Sequence, residues 1–243
     1  MPAAFRARAL PCALLLSLAL VTPAFAGSLD LPVRGAGLSF GNSHTFNGVR
    51  FNLRDRDLQS IRGVTVTLWA PGREPGGRIQ GVSLGLVGTA ADRIDGITLN
   101  LVGGAARQAR GIAVGGLGLG MDDFAGVGVG GLGIGGDHLA GVMVGGLGIG
   151  GDDLTGVMIG GLGVGGDRLK GLMVGGLGVG GDDLTGVSIG AYDRFKGHVD
   201  GLQIGIFNYA GELHGVQLGV LNYAGNNRRG TRWLPLVNMH LKD

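Results

Sequence analysis

The stretch "GVMVGGLGIGGDDLTGVMIGGLGVGGDRLKGLMVGGLGVGG", Gly141 to Gly181, decides the fold. It is nearly half glycine, a composition that often marks low complexity, yet its Val, Ile and Leu recur at fixed steps. Gly48, Gly63, Gly81, Gly96, Gly111, Gly126, Gly141, Gly156, Gly171, Gly186, Gly201, Gly215 and Gly230 each open a similar unit. Their spacing is 15 residues, except for 18 after Gly63 and 14 after Gly201. The insertion lies in "APGREPGGRIQ", whose Pro and Gly mark a loop. A fixed period over most of a chain is the signature of a repeat architecture.

With the opening glycine as position 0, positions 1 and 3 are Val, Ile or Leu, as in Val142 and Val144 or Val157 and Ile159. Their alternation resembles the buried face of a strand. The apolar pair then moves to positions 6 and 8 (Leu147 and Ile149), a change of parity that requires a bend or burial of both faces. Position 13 is apolar again, as in Leu139, Leu154 and Leu169, and glycine collects at positions 4, 5, 9 and 10. Fifteen residues thus divide into three short apolar segments with glycine where corners need unusual backbone angles. Helix is excluded, because each interior glycine costs about 1 kcal/mol relative to alanine.

An unbent strand of eleven residues spans about 36 Å, and the four left over reach only about 14 Å. Parallel neighbours therefore require a bend inside the repeat. An all-β parallel solenoid, one coil per repeat, is the favoured architecture; the alternative is an antiparallel meander closing into a β-barrel. Position 12 reads Arg93, Gln108, Asp123, His138, Asp153, Arg168, Asp183 and His198, which avoids stacking like charges. The early units suit a barrel, with Val49, Phe51 and Leu53 on one parity and Arg50, Asn52 and Arg54 on the other; the central units do not. Asp137, Asp152, Asp167 and Asp182, at position 11, would point inward under strict alternation, unless they bond the backbone of their own turn.

The chain opens with Arg6 and Arg8, an apolar run from Ala13 to Val21 and the small-x-small ending Ala24-Phe25-Ala26. That order predicts a secretory signal peptide cleaved after Ala26. Cys12 precedes the apolar run, which argues against a lipoprotein leader. The 217 residues that follow lack cysteine and carry 18 basic and 18 acidic side chains. Neutrality argues against nucleic-acid binding, and an exported chain without cysteine must rest on burial and backbone hydrogen bonds. No uncharged run in that part is long enough for a transmembrane helix. The organisation read from the sequence is a signal peptide (1–26), an N-terminal lead-in (27–47), glycine-rich β-repeats (48–230) and a C-terminal cap strand (231–243).

The last repeats read "GLQIGIFNYAG" (Gly201 to Gly211) and "GVQLGVLNYAG" (Gly215 to Gly225), followed by "WLPLVNMHL". This resembles the bacterial surface repeat-containing family, whose units read G-h-Q-h-G-h-h-N-x-A with h apolar, and whose N-terminal part carries a segment similar to "NGVRFNL". The resemblance covers most of the chain after the leader, with the specific polar residues at Gln203, Asn208, Gln217 and Asn222. It implies an exported envelope or surface protein. The central units depart from the pattern, with Met or Ser for Gln and Gly for Asn.

Several motifs imitate chemistry. "GVSLG" and "GVSIG" match a hydrolase nucleophile elbow, but Ser83 and Ser188 occupy position 2 of the repeat, where other units carry Thr98, Ala113, Met143 or Gln203. "GLGIGG" and "GLGVGG" match a dinucleotide fingerprint four times at the repeat period, which marks corners rather than one βαβ turn. "GGDDL" loosely resembles calcium-binding repeats, but its period of 15 differs from theirs and only some units carry paired Asp. His44, His138, His198, His214 and His240 lack metal-ligand spacing, and "NNRRGTRW" (Asn226 to Trp233) suits a solvated terminal cap.

No catalytic, cofactor-binding or metal-ligating residue is assigned, and no cofactor or small-molecule substrate is implied. The candidate interaction stripe is Met143, Met158 and Met173, taken as an exposed apolar column. The expected function is a non-enzymatic, exported envelope or surface repeat protein with a structural or partner-binding role. Its partner is unknown, membrane association is open, and an outer-membrane barrel acting as a pore is the alternative.

Overall fold

A computed structural model describes residues 28–241 apart from 34, 71 and 73–75. Residues 1–26, read in the sequence as a signal peptide, and part of the inserted loop lie outside the described residues. The strands are β1 (Ser28–Val33), β2 (Ala36–Gly41), β3 (Thr45–Asn52), β4 (Ser60–Thr67), β5 (Arg78–Gly85), β6 (Gly88–Asn100), β7 (Gly103–Gly115), β8 (Gly118–Gly130), β9 (Gly133–Gly135), β10 (His138–Gly145), β11 (Gly148–Gly160), β12 (Gly163–Ala224) and β13 (Trp233–His240). β12 is one unbroken ribbon that winds through the C-terminal coils.

Repeat-opening glycines lie opposite one another on parallel neighbours: Gly48 on Gly63, Gly81 on Gly96, Gly126 on Gly141 and Gly156 on Gly171. Each repeat is one coil stacked on the last, a parallel β-solenoid. A meander would pair adjacent repeats antiparallel, so the barrel alternative is excluded. Antiparallel pairing is confined to the two ends, where β1 lies on β2 and β13 on β12. Stacking begins before the first repeat, since Gly37 of β2 lies opposite Gly48. It stops short of Gly230, which sits in the turn before β13 and opens no coil. β13 carries Pro235, which cannot donate to a further strand, and so blunts the exposed edge.

The twelve opening glycines from Gly48 to Gly215 all have positive φ. Gly156, at φ +118°, leaves no room for a side chain, because a Cβ would lie 2.1 Å from the carbonyl oxygen of Gly141 one coil below. Each coil therefore kinks at the same height while keeping its stacking bonds. A second bend falls at positions 5 and 6, as at Gly146 and Leu147. There the corner carbonyls stack so closely that a Cβ on Gly146 would lie 1.8 Å from Gly131 O.

The interior is built from positions 13, 2, 4 and 8. Leu154, Met158 and Ile149 are buried, whereas Val142 and Val144 are 42% and 37% exposed. This reverses the sequence expectation that positions 1 and 3 form the buried face. The reason lies at position 4. A Cβ on Gly145 would meet Gly148 O at 2.3 Å and Ile149 Cγ1 at 3.1 Å, so the central coils need glycine in this inward column, whereas the first coils hold Asn52, Thr67 and Asn100 there. An alternating strand that points position 4 inward points position 2 inward as well, and turns 1 and 3 to the outside. The Asp residues at position 11 also differ from strict alternation: Asp137, Asp152, Asp167 and Asp182 are exposed, because the chain bends between positions 8 and 13.

Inward chemistry changes along the axis. Position 2 runs Arg50, Thr65, Ser83, Thr98, Ala113, Gly128, Met143, Met158, Met173, Ser188, Gln203 and Gln217. The central coils enclose an apolar core in which volumes compensate: Gly128 leaves space occupied by Phe124 and by the Met143 sulfur. Polar side chains fill both end segments and bond one another in part, as Arg50 does Asp55 and Gln217 does Gln203.

Candidate functional site

The solenoid presents three outer surfaces of different chemistry. Positions 12 and 14 form a charged surface in which opposite charges stack. His138 lies between Asp123 (3.0 Å) and Asp153 (3.3 Å), and Arg168 Nη2 donates to Asp153 at 2.5 Å. The Arg168 guanidinium holds the Asp153 carboxyl below the usual carboxylate range. Further along, Lys196 pairs with Asp182 (3.2 Å), and His198 reaches Asp183 (3.3 Å) and Glu212 (2.9 Å). These pairs are exposed and contribute little individually; their effect is to remove the repulsion that stacked like charges would cause. Among the described residues no group of three or more His, Cys, Asp or Glu side chains is placed to hold a metal ion. Of the paired Asp residues considered for calcium, Asp123, Asp153, Asp182 and Asp183 make ion pairs in this ladder.

In the central coils the second surface, positions 7, 9 and 10, is almost bare glycine, as in Gly148, Gly150 and Gly151. The third is apolar. Position 1 is Val, Ile or Leu in every coil from Val49 to Val216, and position 3 is Val, Ile, Leu or Phe from Phe51 to Leu218. Position 6 adds a corner column that includes Leu117, Leu132, Leu147, Leu162 and Leu177, all about half exposed or more. At a stacking rise of about 4.8 Å and about 3.3 Å per residue, the strip is about 58 Å long and about 17 Å wide, on the order of 900 Å². The largest apolar patch on a typical monomer is roughly 300–600 Å².

The methionine stripe is corrected by the same geometry. Met143, Met158 and Met173 are each 0% exposed and line the interior. Position 2 shares the parity of the glycine that holds position 4 in the central coils, and flexible unbranched methionine fills such a narrow space well. Ser83 and Ser188 share that inward column and are fully buried, so neither is displayed on an elbow. The glycine motifs open no helix anywhere in the described residues.

Gln203, Asn208, Gln217 and Asn222 also point inward, all 0% exposed. They form two amide ladders: Gln217 Nε2 donates to Gln203 Oε1 at 2.7 Å, and Asn208 Nδ2 donates to Asn222 Oδ1 at 2.7 Å. Asn222 continues to Leu234 O (3.2 Å), tying β13 to the last coil. The turn that begins at Asn226 is clamped by reciprocal bonds to Leu213, 3.0 Å from its N–H and 2.9 Å to its carbonyl. No family model, curated protein or solved structure matches the chain.

Asp193 is the one strongly perturbed acid among the described residues. It is fully buried beneath Val179, whose N–H donates to its Oδ1 at 3.2 Å, while its Oδ2 has no partner. Burial pushes its carboxyl up to about 6, against the opposing pull of the Ser188 hydroxyl and the Val179 N–H. A raised folded-state value means that the ionised form is disfavoured in the fold. The group therefore costs nothing at low pH, and its penalty grows as pH rises from about 4 to about 6. Asp193→Asn keeps the acceptor for Val179 and is expected to add about 2–3 kcal/mol at pH 7.5, with little change at pH 4. Denaturant midpoints at the two pH values check this; an equal change at both would show that the carboxyl is not strained.

Proposed function

We propose that this chain is an exported, non-enzymatic envelope or surface protein that works as a rigid β-rod and binds a partner through its apolar strip. The observation that carries the reading is the apolar surface at positions 1, 3 and 6 of the central coils, where Ile112, Val127, Val129, Val142, Val144 and Ile159 are exposed beside the leucines of position 6 and the remaining members of positions 1 and 3 are half-buried. A monomer in water has no use for so large an apolar surface, whereas interface cores are depleted of charge in this way. Three features add support: the arginine-flanked leader read in the sequence, the likeness of the last repeats to surface repeat-containing proteins, and an interior filled by side chains. The inward position of Ser83 and Ser188 supports a non-enzymatic role.

The test is fractionation. Val142, Val144 and Leu147 are exposed, so their joint replacement by Ser should leave the coil intact, as judged by far-UV circular dichroism, and release the protein from the envelope fraction. Unchanged fractionation of a folded triple variant would overturn the reading.

A further inference from the structure

We infer that the partner seated on the apolar strip is a second copy of this chain, packed face to face about a two-fold axis. The inference rests on the partner-binding reading above and names the partner. Size is the first support: a strip on the order of 900 Å² matches the ~800 Å² that each partner of a stable interface buries.

Composition is the second support. Positions 1 and 3 carry no charged side chain in any coil, and position 6 carries one, Arg54, at its N-terminal end. Charge enters only at the border, where position 14 includes Asp95, Arg110, Lys170 and Asp200. An apolar centre with a polar rim of both signs is the anatomy of a protein interface; a lipid-seated strip would favour a basic rim. With 18 basic and 18 acidic side chains after residue 26, two copies also approach without net repulsion.

Shape is the third support. In the five central coils position 5 is an exposed glycine: Gly116, Gly131, Gly146, Gly161 and Gly176. They form a trough between the Val and Ile ridge at position 3 and the leucine ridge at position 6. Stacking fixes this trough, because a Cβ on Gly131 would lie 1.8 Å from Gly116 O and one on Gly161 1.9 Å from Gly146 O. A two-fold axis near Gly146 lays the leucine ridge of each copy along the trough of the other. Both repeat at the same rise per coil, so a contact made once is made in every coil, and the contact is isologous and closed.

Sedimentation equilibrium of the full chain at micromolar concentration, without detergent, tests this. The expected result is twice the chain mass. Val144→Lys with Leu147→Lys should raise the dimer dissociation constant by roughly 100-fold or more with circular dichroism unchanged, while Asp152→Lys, exposed outside that border, leaves the dimer intact. A monomeric parent protein, or a dimer that survives the double variant, overturns the inference. Flotation of a monomeric protein with phosphatidylcholine vesicles also overturns it and assigns the strip to lipid. A monomer whose Val142, Val144 and Leu147 variant still leaves the envelope fraction defeats the second copy alone; a monomer whose variant fractionates normally defeats both readings.

Discussion

Gly156→Ala is expected to cost about 4 kcal/mol or more, enough to melt the central coils at moderate temperature. Two penalties combine. An alanine at φ +118° is in strained backbone space, at about 1–3 kcal/mol. Its Cβ would also lie 2.1 Å from Gly141 O and 3.0 Å from Gly141 C, atoms of a rigid backbone that cannot step aside. Relief requires the stack to open locally, which breaks parallel hydrogen bonds above and below, and effects of that size come from a short list of mechanisms that includes special backbone angles. Gly150→Ala is the matched control. Its backbone is ordinary extended strand, and a Cβ there meets only Gly165 O at 4.0 Å. Removing a glycine from the unfolded chain should then stabilise by about 0.4–1 kcal/mol. Urea midpoints of the two variants measure the contrast, and similar losses in both would mean that the opening glycines are not the fixed kinks described.

Asp55→Ala is expected to cost about 3–5 kcal/mol, the effect of leaving a buried charge without its partner. Arg50 and Asp55 are both 0% exposed and joined at 2.6 Å. Asp55 also accepts from Asn52 Nδ2 (2.8 Å) and from Thr67 Oγ1 (2.9 Å), while Arg50 donates to Thr65 (3.3 Å) and to Asn42 (3.2 Å). One carboxylate thus organises the interior of the first coils. Replacing both charges, as in Arg50→Met with Asp55→Leu, removes the desolvation penalty together with the attraction and should recover part of the loss, the rest being the cost of leaving the Asn52 and Thr67 donors without their acceptor. In a stack where each coil contacts only its neighbours, the damage of Asp55→Ala should stay near the N-terminal end. Hydrogen exchange should rise in β3 to β5 and hold in β12; a uniform rise would show that the array melts as one unit.

Opposite chemistry caps the opposite end. Gln217 bonds Gln203, Asn208 bonds Asn222, and Asn222 reaches Leu234 O of β13, which lies antiparallel and ends the growth of the stack. Gln203, Asn208, Gln217 and Asn222 are therefore structural in this chain, since their side chains face inward.

The 15-residue period by itself determined that the chain is an all-β repeat of short apolar segments set between glycines. Glycine at its frequency excludes helix, and the reach of four residues forbids straight parallel strands. The sequence also carried the ladder of opposite charges at position 12, which the stack reproduces at His138, Asp153 and Arg168. It could not choose between parallel and antiparallel neighbours, because a thirty-residue alternation of charge satisfies both; only backbone pairing over long separations decides that.

Tertiary structure likewise decided which apolar residues are inside. Positions 13 and 2 compete with positions 1 and 3 for the core, all are apolar in the central coils, and side-chain alternation permits only one set. The winner is set by room. An inward column at position 4 admits no Cβ at Gly145, and that crowding turns Met143 inward with it and leaves Val142 and Val144 facing out. A glycine repeated at a fixed inward position was the signal available in the sequence. Its meaning as a packing limit rather than a corner depends on the distance to Gly148 and Ile149 across the coil, a distance that exists only once the chain has closed.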